Sequence, residues 1–113
     1  MKEIETDKGN IFLIDDKSQL FNDAISLIEL AFSGTADTLV LYRENLPETF
    51  FELKSGLAGD ILQKFSNYQK RLVILGEFAS FNSKSLNDFI YESNKNGKVI
   101  FSDTLENALP LLK

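Results

Sequence analysis

Hydrophobic and polar positions fall into blocks along this chain, and each block has the period of either a strand or a helix. Ile11-Phe12-Leu13-Ile14, Thr38-Leu39-Val40-Leu41-Tyr42, Leu72-Val73-Ile74-Leu75-Gly76 and Val99-Ile100-Phe101 are short, almost wholly apolar runs. Such runs predict strands covered on both faces. Glu3-Ile4-Glu5 precedes the first of them across Asp7-Lys8-Gly9-Asn10, a turn-rich link that predicts an N-terminal hairpin.

The segments between the strands have helical spacing. Leu20, Phe21, Ala24, Leu27, Ile28, Ala31 and Phe32 form one stripe, predicting a helix capped by Asp16 or Ser18 and stopped by a left-handed Gly34. Leu57, Ala58, Ile61, Leu62, Phe65 and Tyr68 predict a second helix beyond Gly56. Leu86, Phe89 and Ile90 predict a third, capped by Ser83 or Ser85, with Asp88 resembling a capping-box partner and Asn96-Gly97 as its close. Leu105, Ala108 and Leu109 predict a fourth, capped by Asp103, and Pro47-Glu48 opens a short helical turn. The order is β-β-α-β-α-β-α-β-α. Strands alternating with helices imply right-handed crossovers. The expected fold is therefore α/β: one domain over residues 1–113, a mostly parallel sheet with an N-terminal β-hairpin, and about four helices on one or both faces.

Composition narrows the chemistry. The chain has no cysteine and no histidine. Thiolate catalysis, disulfides, Cys-ligated zinc and every His-based triad or metal motif are thereby excluded within it. The balance leans away from an enzyme, and no catalytic residue, metal or cofactor is assigned. Net charge is −5, and the lysines are spread along the sequence without a dominant cluster. Nucleic acid and anionic membrane surfaces are therefore not expected as partners. No apolar run approaches the roughly 20 residues of a membrane span, and MKEIETDKGN lacks a secretory apolar segment, so a cytoplasmic location is expected.

Lys54-Ser55-Gly56-Leu57-Ala58-Gly59-Asp60 is the stretch most like a ligand loop. A Walker loop places Lys-Ser after its last glycine; here the pair precedes both glycines, and Asp60 would repel a phosphate. The plainer expectation is that Ser55 caps the helix while Gly56 and Gly59 allow a sharp entry and a close approach to the sheet. Phosphorylation of Ser55 would add charge at a helix start, where the helix tolerates it. Glu44, Glu48 and Glu52 repeat every four residues, as on a solvated helix face. Tyr42, Tyr68 and Tyr91 are dispersed. Asp15, Asp16, Tyr42, Glu44 and Glu77 fall at expected strand ends, where open α/β sheets bind ligands, and are the candidate pocket residues.

From Phe50 to Tyr68 the sequence reads FFELKSGLAGDILQKFSNY, followed by RLVILGE and later ESNKNG. These residues resemble a small bacterial family, domain of unknown function 4180. Its pattern matches at Phe50, Phe51, Leu53, Gly56, Ala58, Gly59, Ile61 to Phe65, Asn67 and Tyr68, then at Glu92 to Asn94 with Gly97. Glu77 stands where the family commonly has Asp, and Asn96 is inserted before Gly97. The order of elements also resembles the STAS (anti-sigma-factor antagonist) domains, in which a serine of an Asp-Ser-Ser-Gly segment before a helix can be phosphorylated. Ser55 and Gly56 occupy the corresponding place, while Leu53 or Lys54 replaces the aspartate.

These observations leave three readings. One is a STAS-like regulatory module binding a protein partner around Lys54, Ser55, Gly56 and Gly59. Another is a small-molecule binding protein or carboxylate-using enzyme with a pocket at the strand C-termini. The last is a homodimer joined through an apolar helix face.

Overall fold

The computed structural model describes residues 2–113. Its regular elements are β1 (Lys2–Thr6), β2 (Gly9–Leu13), α1 (Ala24–Ala31), β3 (Thr38–Tyr42), α2 (Leu57–Asn67), β4 (Arg71–Leu75), α3 (Lys84–Asn96), β5 (Val99–Ser102) and α4 (Leu105–Ala108). This is the α/β order expected from the sequence. Short 3₁₀ turns at Arg43–Asn45, Glu48–Phe51 and Leu53–Ser55 occupy the β3–α2 connection, and another at Leu109–Leu111 extends α4.

The strands lie side by side in chain order, β1-β2-β3-β4-β5. β1 runs antiparallel to β2, and every later pairing is parallel. Thr6 ties the hairpin turn: its hydroxyl donates to the Gly9 carbonyl at 2.6 Å and accepts the Lys8 N–H at 3.1 Å. Each parallel crossover steps to the next strand in the same direction, so right-handed connections bring α1, α2 and α3 to one face. On that face Leu39, Leu41, Leu72, Ile74 and Phe101 pack with Leu27, Ile28, Ile61 and Phe65. Ile11, Val40, Val73, Leu75 and Ile100 point to the other face, covered by Ala108 and Leu112 of the C-terminal segment. Neighbouring residues of one strand thus enter opposite cores, which explains why the strands read as unbroken apolar runs.

The helix boundaries differ from expectation where local polar bonding wins. α1 is capped by Asp23, which accepts the Ser26 N–H at 2.7 Å, and not by Asp16 or Ser18. Asp16 instead closes a turn on Ser18, accepting its N–H at 3.0 Å and its hydroxyl at 2.6 Å. Such side-chain bonds compete with helix formation. Gly34 is not left-handed. The helix ends because the Ser33 N–H and hydroxyl both bond the Leu30 carbonyl, at 3.0 and 2.7 Å. Ser83 caps α3 by accepting the Leu86 N–H at 3.2 Å, while Asp88 pairs with Lys84 in place of completing a capping box. Thr104, not Asp103, caps α4, and the Asp103 carboxylate accepts the Asn107 amide at 2.9 Å.

β5 closes one side of the sheet, and α3 supplies what a further strand would. The Asn94 side chain accepts the Phe101 N–H at 2.7 Å and donates to the Phe101 carbonyl at 3.0 Å. Its neighbour Ser93 donates to the Val99 carbonyl at 2.5 Å. The amide imitates one rung of a β-ladder, so this edge is not left open to pair with another chain. The Glu92-Ser93-Asn94 signature is therefore explained by edge protection. On the opposite side, β1 carries Lys2, Glu3 and Glu5, charges that discourage edge pairing in a different way.

Candidate functional site

A sheet whose strand order never reverses has no topological switch point, the usual origin of a crevice in open α/β folds. The carboxyl ends of the strands are instead shaped by the loops above them. A cleft of 410 Å³ there is lined by Lys17, Tyr42, Arg43, Glu44, Leu75, Gly76, Glu77 and Asp103. Of the five expected pocket residues, Tyr42, Glu44 and Glu77 come together. Asp15 and Asp16 do not join them: both sit on the exposed loop after β2, outside this lining. The Lys17 ammonium lies 4.6 Å from the Tyr42 ring centre and 3.9 Å from the Glu44 carboxylate. Glu77 is held below the usual carboxylate range by the Ser80 hydroxyl and by the Ala79 and Ser80 N–H groups, and Asp103 by the Asn107 amide. Both are anionic at neutral pH.

Two residues that sequence reasoning passed over organise this rim. Asn45 is wholly buried, and every polar atom of its side chain is used. It accepts the Tyr42 N–H at 2.8 Å and donates to the carbonyls of Asp16 and Gln19 at 2.8 and 2.7 Å. Its own carbonyl accepts the Phe21 N–H at 2.8 Å. Asn45 thereby fastens the β2–α1 loop, which carries Lys17, onto the end of β3. Arg43 is the second. Its guanidinium lies 4.3 Å from the Phe81 ring centre and 5.5 Å from that of Phe51, and donates to the Glu77 carbonyl at 2.6 Å. The Phe51 and Phe81 rings stack at 5.1 Å, and Phe78 meets Phe101 edge-on at 5.4 Å. Gly76 is required beside this group: a Cβ there would come within 2.7 Å of the Arg43 Cβ. The surplus of Phe outside the strands and α-helices (Phe50, Phe51, Phe78, Phe81) is the available signal; the partner arginine has none.

The cluster joins the loop after β4 to the segment bearing Ser55. Ser55 is exposed on the turn that enters α2. Its hydroxyl donates to the Thr49 carbonyl at 2.5 Å and accepts the Leu57 N–H at 3.2 Å. Gly56, with φ +79°, holds the cap position itself, so Ser55 secures the helix entry from one residue further out. The left-handed turn at Gly56 fits the expected sharp entry. Gly59 does not make the expected close approach: it is exposed, and a Cβ there would meet nothing within 4 Å. Ala58, Ile61 and Phe65 face the sheet instead. Phe51, Glu52, Leu53 and Lys54 form one wall of a second cleft, 460 Å³, whose other wall is Ser83 and Ser85 at the start of α3. Glu44, Glu48 and Glu52 do not share a helix face, because the separate turns Arg43–Asn45 and Glu48–Phe51 divide them. Among the described residues no helix is long and apolar enough to cross a membrane.

Comparison with known proteins agrees with the sequence signatures. No curated protein and no solved structure matches the chain significantly. One family model, described as domain of unknown function (DUF4180), matches residues 6–112. That span takes in the hairpin strand β2, the Ser55 segment, the Gly76 strand end and the Ser93-Asn94 edge clasp, and the chain belongs to this family.

Proposed function

We propose that this protein is a non-catalytic regulatory module, STAS-like in organisation, that binds a protein partner through the Glu52–Gly56 segment and the adjoining cleft. The observation carrying the reading is the Ser55 hydroxyl: exposed, at a helix entry, and engaged through its proton with the Thr49 carbonyl. A kinase using a nucleoside triphosphate would replace that proton with a phosphoryl group. Two anionic oxygens would then face a carbonyl oxygen that had been accepting, while the N–H groups at the start of α2, where Lys64 lies 3.7 Å from the Asp60 carboxylate and offsets its repulsion, would attract the new charge. The Thr49 tie is lost, the loop shifts toward the helix start, and one wall of the 460 Å³ cleft moves with it. The same surface thus has two states that a partner can distinguish.

Immobilised wild-type, Ser55→Ala and Ser55→Asp proteins, each exposed to extract of the native host, test this. A partner retained by wild type and Ser55→Ala but released by Ser55→Asp is expected. Identical captured sets for all three proteins would count decisively against the reading.

A second reading rests on the 410 Å³ cleft, whose volume suits a small molecule and whose walls offer Lys17, Arg43, Glu44 and Glu77. A thermal-shift screen of metabolites and nucleotides, repeated with Lys17→Ala, separates it from the first. Here the melting temperature moves with ligand and is insensitive to Ser55.

A further inference from the structure

The lysines that look scattered along the sequence are gathered by the fold at the pole opposite Ser55. Parallel strands β3, β4 and β5 begin at Thr38, Arg71 and Val99, so the residues just before them are brought level. Lys70, Arg71 and Lys98 consequently meet, and Lys113 joins them because its N–H bonds the Gly97 carbonyl at 3.0 Å. The four line a cleft of 590 Å³, with Asp37 as the one carboxylate in the lining. Lys8 of the hairpin turn reaches the same region, its ammonium donating to the Leu112 carbonyl at 2.8 Å, while Arg71 donates to the Lys8 carbonyl at 2.6 Å.

Lys70, Arg71 and Lys113 bond carbonyl oxygens, which orient them without cancelling their charge, whereas Lys98 bonds the main-chain oxygen of Lys113, a carboxylate oxygen where the chain ends there. Lys70 donates to Ala36 at 3.1 Å, Lys98 to Lys113 at 3.0 Å and Lys113 to Lys95 at 2.8 Å. The side-chain ion pairs described, Lys17–Glu44, Lys64–Asp60 and Lys84–Asp88, lie elsewhere. The simplest competing explanation is compensation of helix dipoles, since α1, α2 and α3 all end at this pole. Each C-terminus supplies about half a negative charge, so the four lining cations against Asp37 and three helix ends leave roughly one and a half positive charges unmatched. A terminal carboxylate on Lys113 would still leave the balance positive. Dipole compensation accounts for part of the cluster and not for its surplus, in a chain whose net charge is −5.

We infer that this cleft binds a compact polyanion carrying adjacent phosphoryl groups. Its volume lies within the range of small-molecule sites, about 300–1,000 Å³. Ammonium groups bind phosphate as point charges from several directions, and the Arg71 guanidinium adds a planar fork. A nucleic-acid strand fits less well, because the acidic remainder of the surface would repel a long polyelectrolyte on either side of so confined a patch.

Isothermal titration with inorganic triphosphate, at ionic strength held constant with sodium chloride, tests the inference. One saturable site is expected, weakened about tenfold to a hundredfold in Lys98→Ala/Lys113→Ala through loss of charge-assisted bonds. Lys2→Ala, whose strand position pairs with Leu13 at the far pole, is expected to bind like wild type. A parallel titration with a nucleoside triphosphate identifies the source: tighter binding than triphosphate assigns a nucleotide, equal binding a free oligophosphate. No saturable heat with wild type, or unchanged affinity in a double variant shown by circular dichroism to be folded, overturns the inference. So does a concentration-dependent assembly abolished by the same double variant without triphosphate binding, which would assign the cleft to the acidic pole of a second copy.

Discussion

Replacing Asn45 by alanine should be the most damaging small change on the carboxyl rim. Three side-chain hydrogen bonds disappear, those to the Tyr42 N–H and to the Asp16 and Gln19 carbonyls. Each such bond contributes about 1 kcal/mol net, and a donor left dry costs more, so the total is about 3 kcal/mol. With an m-value of roughly 1–1.5 kcal/mol/M in urea, the unfolding midpoint should fall by about 2–3 M. The chain contains no Trp, so far-UV circular dichroism and tyrosine fluorescence are the probes. Asn45→Asp is the sharper variant. An ionised carboxylate would face two carbonyl oxygens with no proton to offer, so its folded pKa rises above the unfolded value. Its stability should then be greatest below the unfolded pKa and should decline as pH rises through the folded one. At neutral pH it should be less stable than Asn45→Ala. A midpoint for Asn45→Ala within about 0.5 M of wild type would refute the argument, because the loop would then be held by packing of Phe21 alone. An Asn45→Asp protein with the same pH profile as wild type would refute the electrostatic half.

The two glycines of the Ser55 segment should respond with opposite signs. Gly56→Ala forces a side chain into φ +79° and should cost about 1–2 kcal/mol, whereas Gly59→Ala, in open space within α2, should stabilise by about 0.5–1 kcal/mol. Equal effects in chemical denaturation would contradict this assignment. Thr38 has a buried hydroxyl with no hydrogen-bond partner, so the isosteric Thr38→Val should raise stability by about 1 kcal/mol, and a drop in melting temperature would mean that the hydroxyl is satisfied. Asn94→Ala should expose the Phe101 rung of β5, lowering stability by about 1–3 kcal/mol and increasing self-association in sedimentation velocity. Acidification should lower the stability of the protein through its hydrogen-bonded carboxylates. Asp16 is lowered by the Ser18 hydroxyl, Asp23 by the Ser26 N–H, Glu77 by the Ser80 hydroxyl and Asp103 by the Asn107 amide. Their contribution is complete above the ordinary values of 3.8 for Asp and 4.5 for Glu and is lost as pH falls through the lowered folded ones. Urea midpoints should therefore be level near neutrality and fall below about pH 4, and a rise on acidification would reverse the sign of this argument.

The strands were legible because burial on both faces leaves a run such as Leu72-Val73-Ile74-Leu75 no alternative structure that hides it. α2 was legible for the complementary reason, a stripe of Ala58, Ile61 and Phe65 with Gly56 before it. α1 starts later than its spacing predicts because Leu20 and Phe21 have helical spacing by coincidence; one is 51% exposed and the other 7%. The Asp23 cap and the Asp16–Ser18 turn set that boundary, and the Asn45 amide, more than twenty residues along the chain, holds the loop before it; periodicity carries no information about such bonds. The same limit applied to the rim. Tyr42, Glu44 and Glu77 follow from strand ends, but the Arg43 contacts with Phe51 and Phe81 depend on how two loops fold over each other. The basic pole was invisible for a third reason: its members are far apart in sequence and level only because three parallel strands start together.

The agreement between strand order and chain order has a consequence for how the protein is made. As synthesis proceeds, each new β-α unit can dock on a strand already in place, and the sheet grows from the hairpin outward without rearrangement. At every stage but the last, the newest strand presents a raw edge that another nascent copy could join. Lys and Glu guard the β1 side from the start, whereas the growing side is protected only when α3 and β5 both exist and the Asn94 amide can close over Phe101. Asn94 is thus the end-stop of a sheet that would otherwise keep adding strands, and ribosomes translating this message close together are where its loss should first be felt.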